Sequence, residues 1–387
     1  MQGKSKKSAA QKTRRGAAFK KIPVDGAVGM VLAHDITEVR PDFRGQAFRK
    51  GHIVRREDIE HLKRLGKEHL FVLKLGRGQM HEDEAAYALA EALMGPGVRM
   101  QGGPREGKIN IVAEHAGLLK VNAPALMKFN AGGEAVCATL HDNTLVKEGQ
   151  TVAATRAIPL VVERKAVQKA ADIARKSGDI LLVKRLRRPK AGIVITGGEV
   201  FSGKIKDSFA PVMRKKIESF EGEIIGIAYA PDDADYIGAR LREFIENGAD
   251  LLIATGGMSV DPDDVTRFAI RKLGASKMTY GSPVLPGSMF LVAYIEVGKV
   301  TPSPSAPPFT VSPPIPPGEG RDEGKIIPVL GVPTCAMYSK TTVLDLVLPR
   351  ILAGEEIGRS ELARLGHGGL CRHCPVCLYP NCPFGKY

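Results

Sequence analysis

The sequence predicts an α/β protein whose main domain, residues 190–353, is a three-layer, mainly parallel β-sheet. Two observations predict this fold. Short apolar stretches alternate with longer stretches that carry apolar residues on one helical face, which is typical of successive βαβ units. The short stretches are apolar throughout, as expected for strands that are buried on both faces of a parallel sheet. Helices should therefore cover both faces.

The elements of this domain follow one another in a regular order. In chain order we expect strand 191–196, a helix from Ser208, strand 223–230, a helix from Asp232, strand 251–254, helix 264–273, strands 288–296 and 326–330, and helix 338–352. Asp232 suits a helix start because its carboxylate can accept a backbone N–H there, and Gly248 suits the helix end.

The regions outside this pattern differ from it in composition. Residues 298–325 interrupt the domain with eight prolines between Pro302 and Pro317, which predicts an extended insertion between two strands. Residues 22–185 predict an irregular α+β region with room for two subdomains. Residues 1–21 contain eight Lys or Arg and no acidic residue, which predicts a disordered basic tail.

Composition restricts the classes of function. The chain has 387 residues, a formal net charge of +14 and no Trp. Few aromatic side chains argue against a platform for stacking single-stranded nucleic acid, and we expect no nucleic-acid partner. Since the sequence has neither an apolar run long enough for a membrane helix nor a secretory signal, we expect a cytoplasmic protein without membrane contact. The positive charge suits an anionic ligand.

Three loops that follow predicted strands carry the candidate ligand residues. In an open parallel sheet, ligands bind where loops leave the carboxyl ends of the strands. Glycines there allow close approach of an anion, and carboxylates beside phosphates can hold Mg²⁺. The candidates are Thr196, Gly197, Gly198 and Glu199 with Asp207 and Ser208; Thr255, Gly256, Gly257 and Ser259 with Asp264; and Pro333. Each loop alone is also compatible with ordinary turns and helix caps. No GxxxxGK[ST] loop is present, which argues against an ordinary ATPase.

Taken in order, these residues resemble the molybdopterin-binding fold of the molybdopterin molybdenumtransferases, including gephyrin, and of the molybdopterin adenylyltransferases. The resemblance covers about 191–353. Residues 196–199 resemble the family's TGDE, residues 207–209 its D-S/T-N, residues 231–233 its PDD, and residues 255–264 its SGG-x-S-x-G-x-x-D. Residues 29–36 are similar to the GRVLAEDV opening of the transferases. Residues 48–51 and 66–68 are similar to a bacterial subgroup that has a cysteine-rich C-terminus.

The sequence also departs from the transferase pattern. Gly198 replaces the acid of TGDE, and Pro286 and Gly287 are all that remains of PGKP. Residues 334–336 replace the end of GLPGNP, and the C-terminal β-barrel of the transferases is missing. Residues 255–257 and 263–266 also fit the TGG…DD-x-T loop of the competence-damage type nucleotide hydrolases.

The resemblance implies a function in making or handling the molybdenum cofactor. As an enzyme, the protein would bind adenylylated molybdopterin and Mg²⁺ and exchange the adenylate for molybdate or tungstate. Its implied catalytic residues are Asp264, Asp207 and Asp233, and its implied cofactor-binding residues are Thr196, Gly197, Gly198, Glu199, Ser208, Thr255, Gly256, Gly257, Ser259, Pro286, Gly287 and Pro333.

The alternative is a non-catalytic carrier or sensor of the finished cofactor that docks a molybdo- or tungstoenzyme, and the missing acid at Gly198 favours it. A homodimer and a nucleotide pyrophosphatase are further implied options.

Residues 366–387 form a cysteine-rich tail. Cys371, Cys374, Cys377 and Cys382 follow the spacing C-x2-C-x2-C-x4-C, with a proline after the last cysteine. This differs by one residue from the bacterial ferredoxin run, and four thiolates also suit Zn²⁺. We therefore expect a [4Fe–4S] cluster or a zinc ion bound by these four residues. The neighbouring glycines predict a loose link, so that the tail should not be needed to fold residues 190–353.

Overall fold

In the computed structural model, residues 20–40, 43–73, 75–258, 265–296 and 326–386 are described. The predicted basic tail and the predicted proline-rich insertion lie almost wholly outside these residues. The chain divides into two units: unit 1 comprises the described residues of 1–112, 122–139 and 151–181, and unit 2 those of 113–121, 140–150 and 182–387. Two segments of the expected N-terminal region thus group with unit 2, and the expected domain boundaries remain a prediction.

The N-terminal half of the chain consists of short elements. Its strands are β1 Lys20–Pro23, β2 Val31–Leu32, β3 Ile36–Arg40, β4 Phe43–Phe48, β5 His69–Leu73, β6 Gln79–His81, β7 Val98–Met100, β8 Lys108–Ala113, β9 Gly117–Val121, β10 Ala135–Thr139, β11 Thr144–Val146, β12 Thr151–Ala157, β13 Val161–Glu163 and β14 Leu181–Lys184. Its helices are α1 Asp58–Arg64, α2 Glu82–Leu93, α3 Ala123–Asn130 and α4 Arg164–Lys176. The expected mixture of strands and helices is present.

The remaining elements belong to unit 2. The strands are β15 Lys190–Thr196, β16 Glu223–Ala230, β17 Leu251–Thr255, β18 Ser276–Tyr280, β19 Leu291–Glu296 and β20 Ile326–Val332. The helices are α5 Gly198–Phe201, α6 Phe209–Glu218, α7 Ala234–Glu246, α8 Thr266–Lys272, α9 Val343–Leu352 and α10 Arg359–Arg364.

A six-stranded sheet organises unit 2, with the strand order β16-β15-β17-β20-β19-β18. The first four strands in this order are parallel, whereas β19 runs antiparallel to β20 and β18 antiparallel to β19. This confirms the predicted mainly parallel sheet. One core lies against Phe209, Met213 and Val347 of α6 and α9, and a second against Leu241 and Ile270 of α7 and α8. The two cores confirm the predicted three layers.

Two helix starts differ from the prediction. The last long helix begins at Val343 rather than at 338, because Thr342 and Asp345 form a capping box there. The cap of α7 is Asp233 rather than Asp232: its carboxylate accepts the backbone N–H of Tyr236 at 2.8 Å. In each case a neighbouring polar side chain has the better position for the free N–H groups of the first turn.

The cysteine-rich tail packs into unit 2, and the predicted loose link is wrong. Phe384 is only 4% exposed and belongs to the same core as α6 and α9. The hydroxyl of Tyr379 donates to the carbonyl of Asp345 at 3.0 Å, and the N–H of Gly385 donates to Gly368 at 2.9 Å. These contacts join the tail to helix α9 and to its own first residues, so the glycines serve close backbone packing.

A half-buried ion-pair group lies after helix α9. Glu355 lies 2.8 Å from the ammonium of Lys120 on β9 and 2.9 Å from Nε of Arg350. Burial would raise the pKa of Glu355, but these two cations outweigh burial and lower the pKa below its ordinary value of 4.5. The charged carboxylate therefore stabilises the fold above about pH 4.5, and this contribution is lost as the pH falls through the lowered pKa.

We expect Glu355→Gln to lower the free energy of unfolding by about 2 kcal/mol at neutral pH, because charged hydrogen-bond partners contribute about 1.5 to 3 kcal/mol. Urea unfolding at pH 7 and in the acid range measures this, and the difference from the parent should shrink below about pH 4.5. Glu356→Gln is the matched control, since Glu356 pairs with Lys277 at the surface. Equal losses in both variants would contradict the prediction.

Candidate functional site

The parallel strands of the sheet terminate at the same level on their carboxyl side. Thr196 is in register with Ala230, and Thr255 with Val332. The antiparallel strand β19 begins at the same edge, where Leu291 pairs with Gly331. The loops that follow β15, β16, β17 and β20, and the loop that precedes β19, therefore lie along one edge of the sheet. We call this the carboxyl edge.

Three threonines connect the loops of this edge. The hydroxyl of Thr196 donates to the carbonyl of Thr255 at 3.0 Å and lies 3.3 Å from the hydroxyl of Thr266. All three side chains are buried. The hydroxyl of Thr255 has no hydrogen-bond partner within the part of the chain that the structure describes. Thr196 and Thr255 are predicted ligand residues, and in the structure the Thr196 hydroxyl and the Thr255 carbonyl also hold two loops together.

Gly256 and Gly257 are required by this packing. Gly256 has a φ of 84°, and a Cβ built on it would lie 2.7 Å from the carbonyl oxygen of Thr196. A Cβ on Gly257 would lie 2.5 Å from the Thr266 hydroxyl. Gly256 is buried and Gly257 is half-buried, so a ligand can reach Gly257. Close contact with the protein's own backbone requires a glycine at position 256. Of these two glycines, only Gly257 is accessible to a ligand.

The first loop receives a carboxylate from its neighbour. Gly197 has a φ of 137°, and Gly198 and Glu199 are exposed at the start of α5. The backbone N–H of Gly198 donates to Oδ2 of Asp232 at 2.9 Å. An acid is absent from position 198 itself, yet this contact brings a carboxylate beside it. Sequence reasoning gave Asp232 a capping role and missed this contact, because register between strands β15 and β16 was needed to see it.

Asp207 and Asp233, the implied catalytic acids in the described part of the chain, lie at helix starts. Asp207 accepts the backbone N–H groups of Phe209 and Ala210 at 2.7 and 3.0 Å, and the hydroxyl of Tyr229 at 3.2 Å. Burial and the adjacent Asp207 raise the pKa of Tyr229. Both oxygens of Asp207 are thus engaged. Asp207 thus binds the first backbone N–H groups of α6.

The remaining cofactor-binding candidates of the edge differ in exposure. Pro286 is half-buried, whereas Gly287 and Pro333 are buried. A Cβ on Gly287 would lie 2.5 Å from Cγ1 of Val343, so this glycine allows the loop to contact helix α9. Ser259 and Asp264 lie outside the described residues. Their expected roles remain predictions.

The four tail cysteines line one cavity of about 340 Å³. None of them forms a disulfide: Cys374 and Cys377 are exposed, and Cys371 and Cys382 are half-buried. Sγ of Cys377 lies 3.3 Å from the hydroxyl of Thr341, and this contact lowers the pKa of the Cys377 thiol. Among the described residues, no three His, Cys, Asp or Glu side chains are gathered as tightly as a single metal ion requires. The predicted metal centre therefore remains a proposal.

The fold and this edge define a class of protein: an α/β domain that binds ligands in loops at the carboxyl edge of a mainly parallel sheet. Residues 192–353 match the family model described as a probable molybdopterin binding domain. The chain thus carries a molybdopterin-binding domain of the kind found in molybdenum cofactor biosynthesis. Residues 13–74 match a domain of unknown function.

Individual relatives match only part of this chain. The molybdopterin molybdenumtransferase of Synechococcus elongatus is 28% identical over 126 residues, which is 30% of this chain and 31% of that protein. A CinA-like protein of Mycobacterium avium is 34% identical over 89 residues, which is 22% of this chain and 20% of that protein. The chain thus spans less than a third of the length of these curated relatives.

Solved structures are similar to part of this chain. The tungsten cofactor synthesizing protein MoaB of Pyrococcus furiosus is 16% identical with a TM-score of 0.29, covering 43% of this chain and 96% of that one. The molybdopterin biosynthesis Mog protein of Mycobacterium ulcerans is 16% identical with a TM-score of 0.29, covering 42% and 94%. Within the described residues, no helix is both long and apolar enough to cross a membrane.

Proposed function

We propose that the protein binds molybdopterin at the carboxyl edge of the unit 2 sheet. The observation that supports this most is the match of residues 192–353 to the molybdopterin-binding family, whose loops here share one edge. Gly197, Gly198, Glu199, Ser208 and Gly257 have the surface needed to contact a ligand. The buried residues Thr196, Thr255, Gly256, Gly287 and Pro333 would act by holding these loops.

A positively charged segment beside the first loop supports an anionic ligand. Lys204 and Lys206 are exposed and lie between α5 and α6. Their ammonium groups would attract the phosphate of molybdopterin. Asp264, together with either Asp207 or Asp233, would contribute carboxylates to a bound Mg²⁺. Because Mg²⁺ commonly takes only one or two protein carboxylates beside substrate phosphates, a cage of three protein ligands is not required.

As an enzyme, the protein would exchange the adenylate of adenylylated molybdopterin for molybdate or tungstate, in the cytoplasm. The resemblance of the loops at Thr196 and Thr255 to the molybdenumtransferases supports this step. The protein would place the adenylate phosphate at the exposed part of the edge, and Mg²⁺ would neutralise the charge that develops there. A homodimer is part of this proposal.

The second candidate function is a non-catalytic carrier or sensor. It is favoured by Gly198 in place of an acid and by Asp207, whose two carboxylate oxygens already accept hydrogen bonds. The carrier would bind the finished cofactor and deliver it to a molybdo- or tungstoenzyme. The tail cysteines would then hold an iron–sulfur or zinc centre.

The release of AMP distinguishes the two functions. The purified chain is mixed anaerobically with adenylylated molybdopterin, Mg²⁺ and molybdate, and AMP and bound pterin are measured. Several AMP per chain identify the enzyme, whereas bound pterin without AMP release identifies the carrier. The absence of pterin binding would overturn both.

The same assay tests the position of the site. We expect the double variant Lys204→Ala/Lys206→Ala to bind the pterin about tenfold more weakly, because exposed ion pairs contribute up to about 1 kcal/mol each. Lys215→Ala is the matched control: Lys215 is equally exposed but lies near the far end of α6. Equal affinity of the double variant and the control would place the phosphate elsewhere.

A further inference from the structure

Four thiols that could bind a metal line one cavity in the tail. Cys371, Cys374, Cys377 and Cys382 come from one short segment, and all four reach the same space of about 340 Å³. Its other walls are largely apolar, including Leu370, which is 70% exposed. The match to the molybdopterin-binding family ends at residue 353, before these residues. Exposed free thiols without a ligand would be prone to oxidation.

The charges around the cavity suit an anionic group. Lys340 and Arg372 lie in its wall, and no Asp or Glu occurs among the described residues that line it. A metal centre bound by four thiolates carries net negative charge, and two adjacent cations would stabilise it. Carboxylates would destabilise it. The wall therefore favours a thiolate-bound centre over a free cation held by oxygen ligands.

The spacing of the thiols favours a cluster over a single ion. A tetrahedral zinc ion with bonds of about 2.3 Å needs four sulfurs only about 3.8 Å apart. The run C-x2-C-x2-C-x4-C-P instead differs by one residue from the bacterial ferredoxin run, and its four thiols line one cavity. A cluster of four irons is bulkier and binds thiolates spread around it. The cavity is about ten times the volume of one water molecule, which is about 30 Å³.

The tail is bonded to a loop of the carboxyl edge. The backbone N–H of Leu285 donates to the carbonyl of Gly369 at 2.8 Å, and its carbonyl accepts the N–H of Cys371 at 2.8 Å. Leu285 directly precedes Pro286 and Gly287. The first cysteine of the cavity thus holds the backbone of a candidate cofactor loop.

We propose that Cys371, Cys374, Cys377 and Cys382 bind a [4Fe–4S] cluster, and that the bound cluster fixes the segment 285–287 through Cys371. Each thiol releases its proton to solvent when its sulfur binds iron. The consequence for pterin binding rests on the proposed function. The cluster itself and its effect on Leu285 do not.

The cluster is tested first on the full chain, purified anaerobically from iron-supplied cells. We expect a brown protein with about four irons and four sulfides per chain. Cys374→Ser/Cys377→Ser removes two exposed thiols and should lose at least nine-tenths of the iron. Cys335→Ser is the matched control, since Cys335 lies outside the cavity, and it should keep its iron. Colourless protein with about one zinc per chain would overturn the cluster.

The effect on the loop is measured by amide hydrogen exchange without any pterin. Exchange of the Leu285 N–H should be at least tenfold slower in the cluster-loaded chain than in the chelator-treated chain. The double cysteine variant should resemble the chelator-treated chain, and Cys335→Ser the loaded one. Equal exchange with and without cluster would overturn the link between the cluster and the loop. Neither result depends on whether the protein binds molybdopterin.

Discussion

Phe384→Ala is expected to lower the free energy of unfolding of unit 2 by about 4 kcal/mol, since Phe→Ala in a core costs about 3 to 5 kcal/mol. Phe384 is 4% exposed and packs in the core that α6 and α9 share. Its ring meets the ring of Tyr379 edge to face, with 6.3 Å between centroids. Because the neighbouring backbone at Gly385 lies against Leu346, the space left by the ring cannot close easily.

Thermal unfolding measures this loss, which corresponds to a melting temperature about 8 to 16 °C lower. Val376→Ala is the matched control in the same tail: Val376 is 70% exposed, and its change should stay within about 0.5 kcal/mol. Truncation after Ala363 should destabilise unit 2 at least as much as Phe384→Ala. A truncated chain with an unchanged melting temperature would show that the tail is a separate appendage after all.

Much of the unit 2 sheet could be predicted because its strands are short, apolar and separated by amphipathic helices. Glu223–Ala230 has the predicted bounds, and Lys190–Thr196 and Leu251–Thr255 differ by one residue each. Burial on both faces leaves this signal in nearly every residue of β15 and β17. Strand β18, Ser276–Tyr280, was missed, because this edge strand contains Lys277 and Thr279 and lacks such an apolar run.

The packing of the tail could not be predicted from local sequence. Phe384 and Tyr379 lie among glycines and cysteines, a pattern without periodicity. Their burial depends on contacts with residues far away in the chain, such as the bond from Tyr379 to Asp345, 34 positions earlier. The glycines of the tail predicted a flexible segment from the sequence alone. In the folded chain, the same glycines allow close backbone packing.

The candidate site was predictable in its loops but not in the role of each residue. Thr196, Thr255 and the glycines were predicted to contact a ligand, yet Thr196 bonds to Thr255 across 59 positions. Asp232 reaches Gly198 across 34 positions. Both contacts follow from the register of parallel strands, which a single sequence does not contain. The exposed and the buried members of the site could therefore be separated only in the folded chain.

Gly256→Ala is expected to lower the free energy of unfolding of unit 2 by about 3 kcal/mol and to abolish pterin binding. An alanine at a φ of 84° is strained by about 1 to 2 kcal/mol. Its Cβ would lie 2.7 Å from the Thr196 carbonyl, which must move, and such overpacking costs about 1 to 3 kcal/mol. Since that carbonyl belongs to the loop carrying Gly197 and Gly198, the site should distort together with the fold.

Chemical denaturation and pterin titration of the same samples measure both losses. Gly198→Ala is the matched control: its Cβ would lie 3.6 Å from Oδ2 of Asp232, an ordinary contact, at the start of helix α5. Its free energy of unfolding should stay within about 0.5 kcal/mol of the parent. If Gly256→Ala were as stable as Gly198→Ala while losing pterin binding, the glycine would serve ligand approach, and the packing role assigned to it would be wrong.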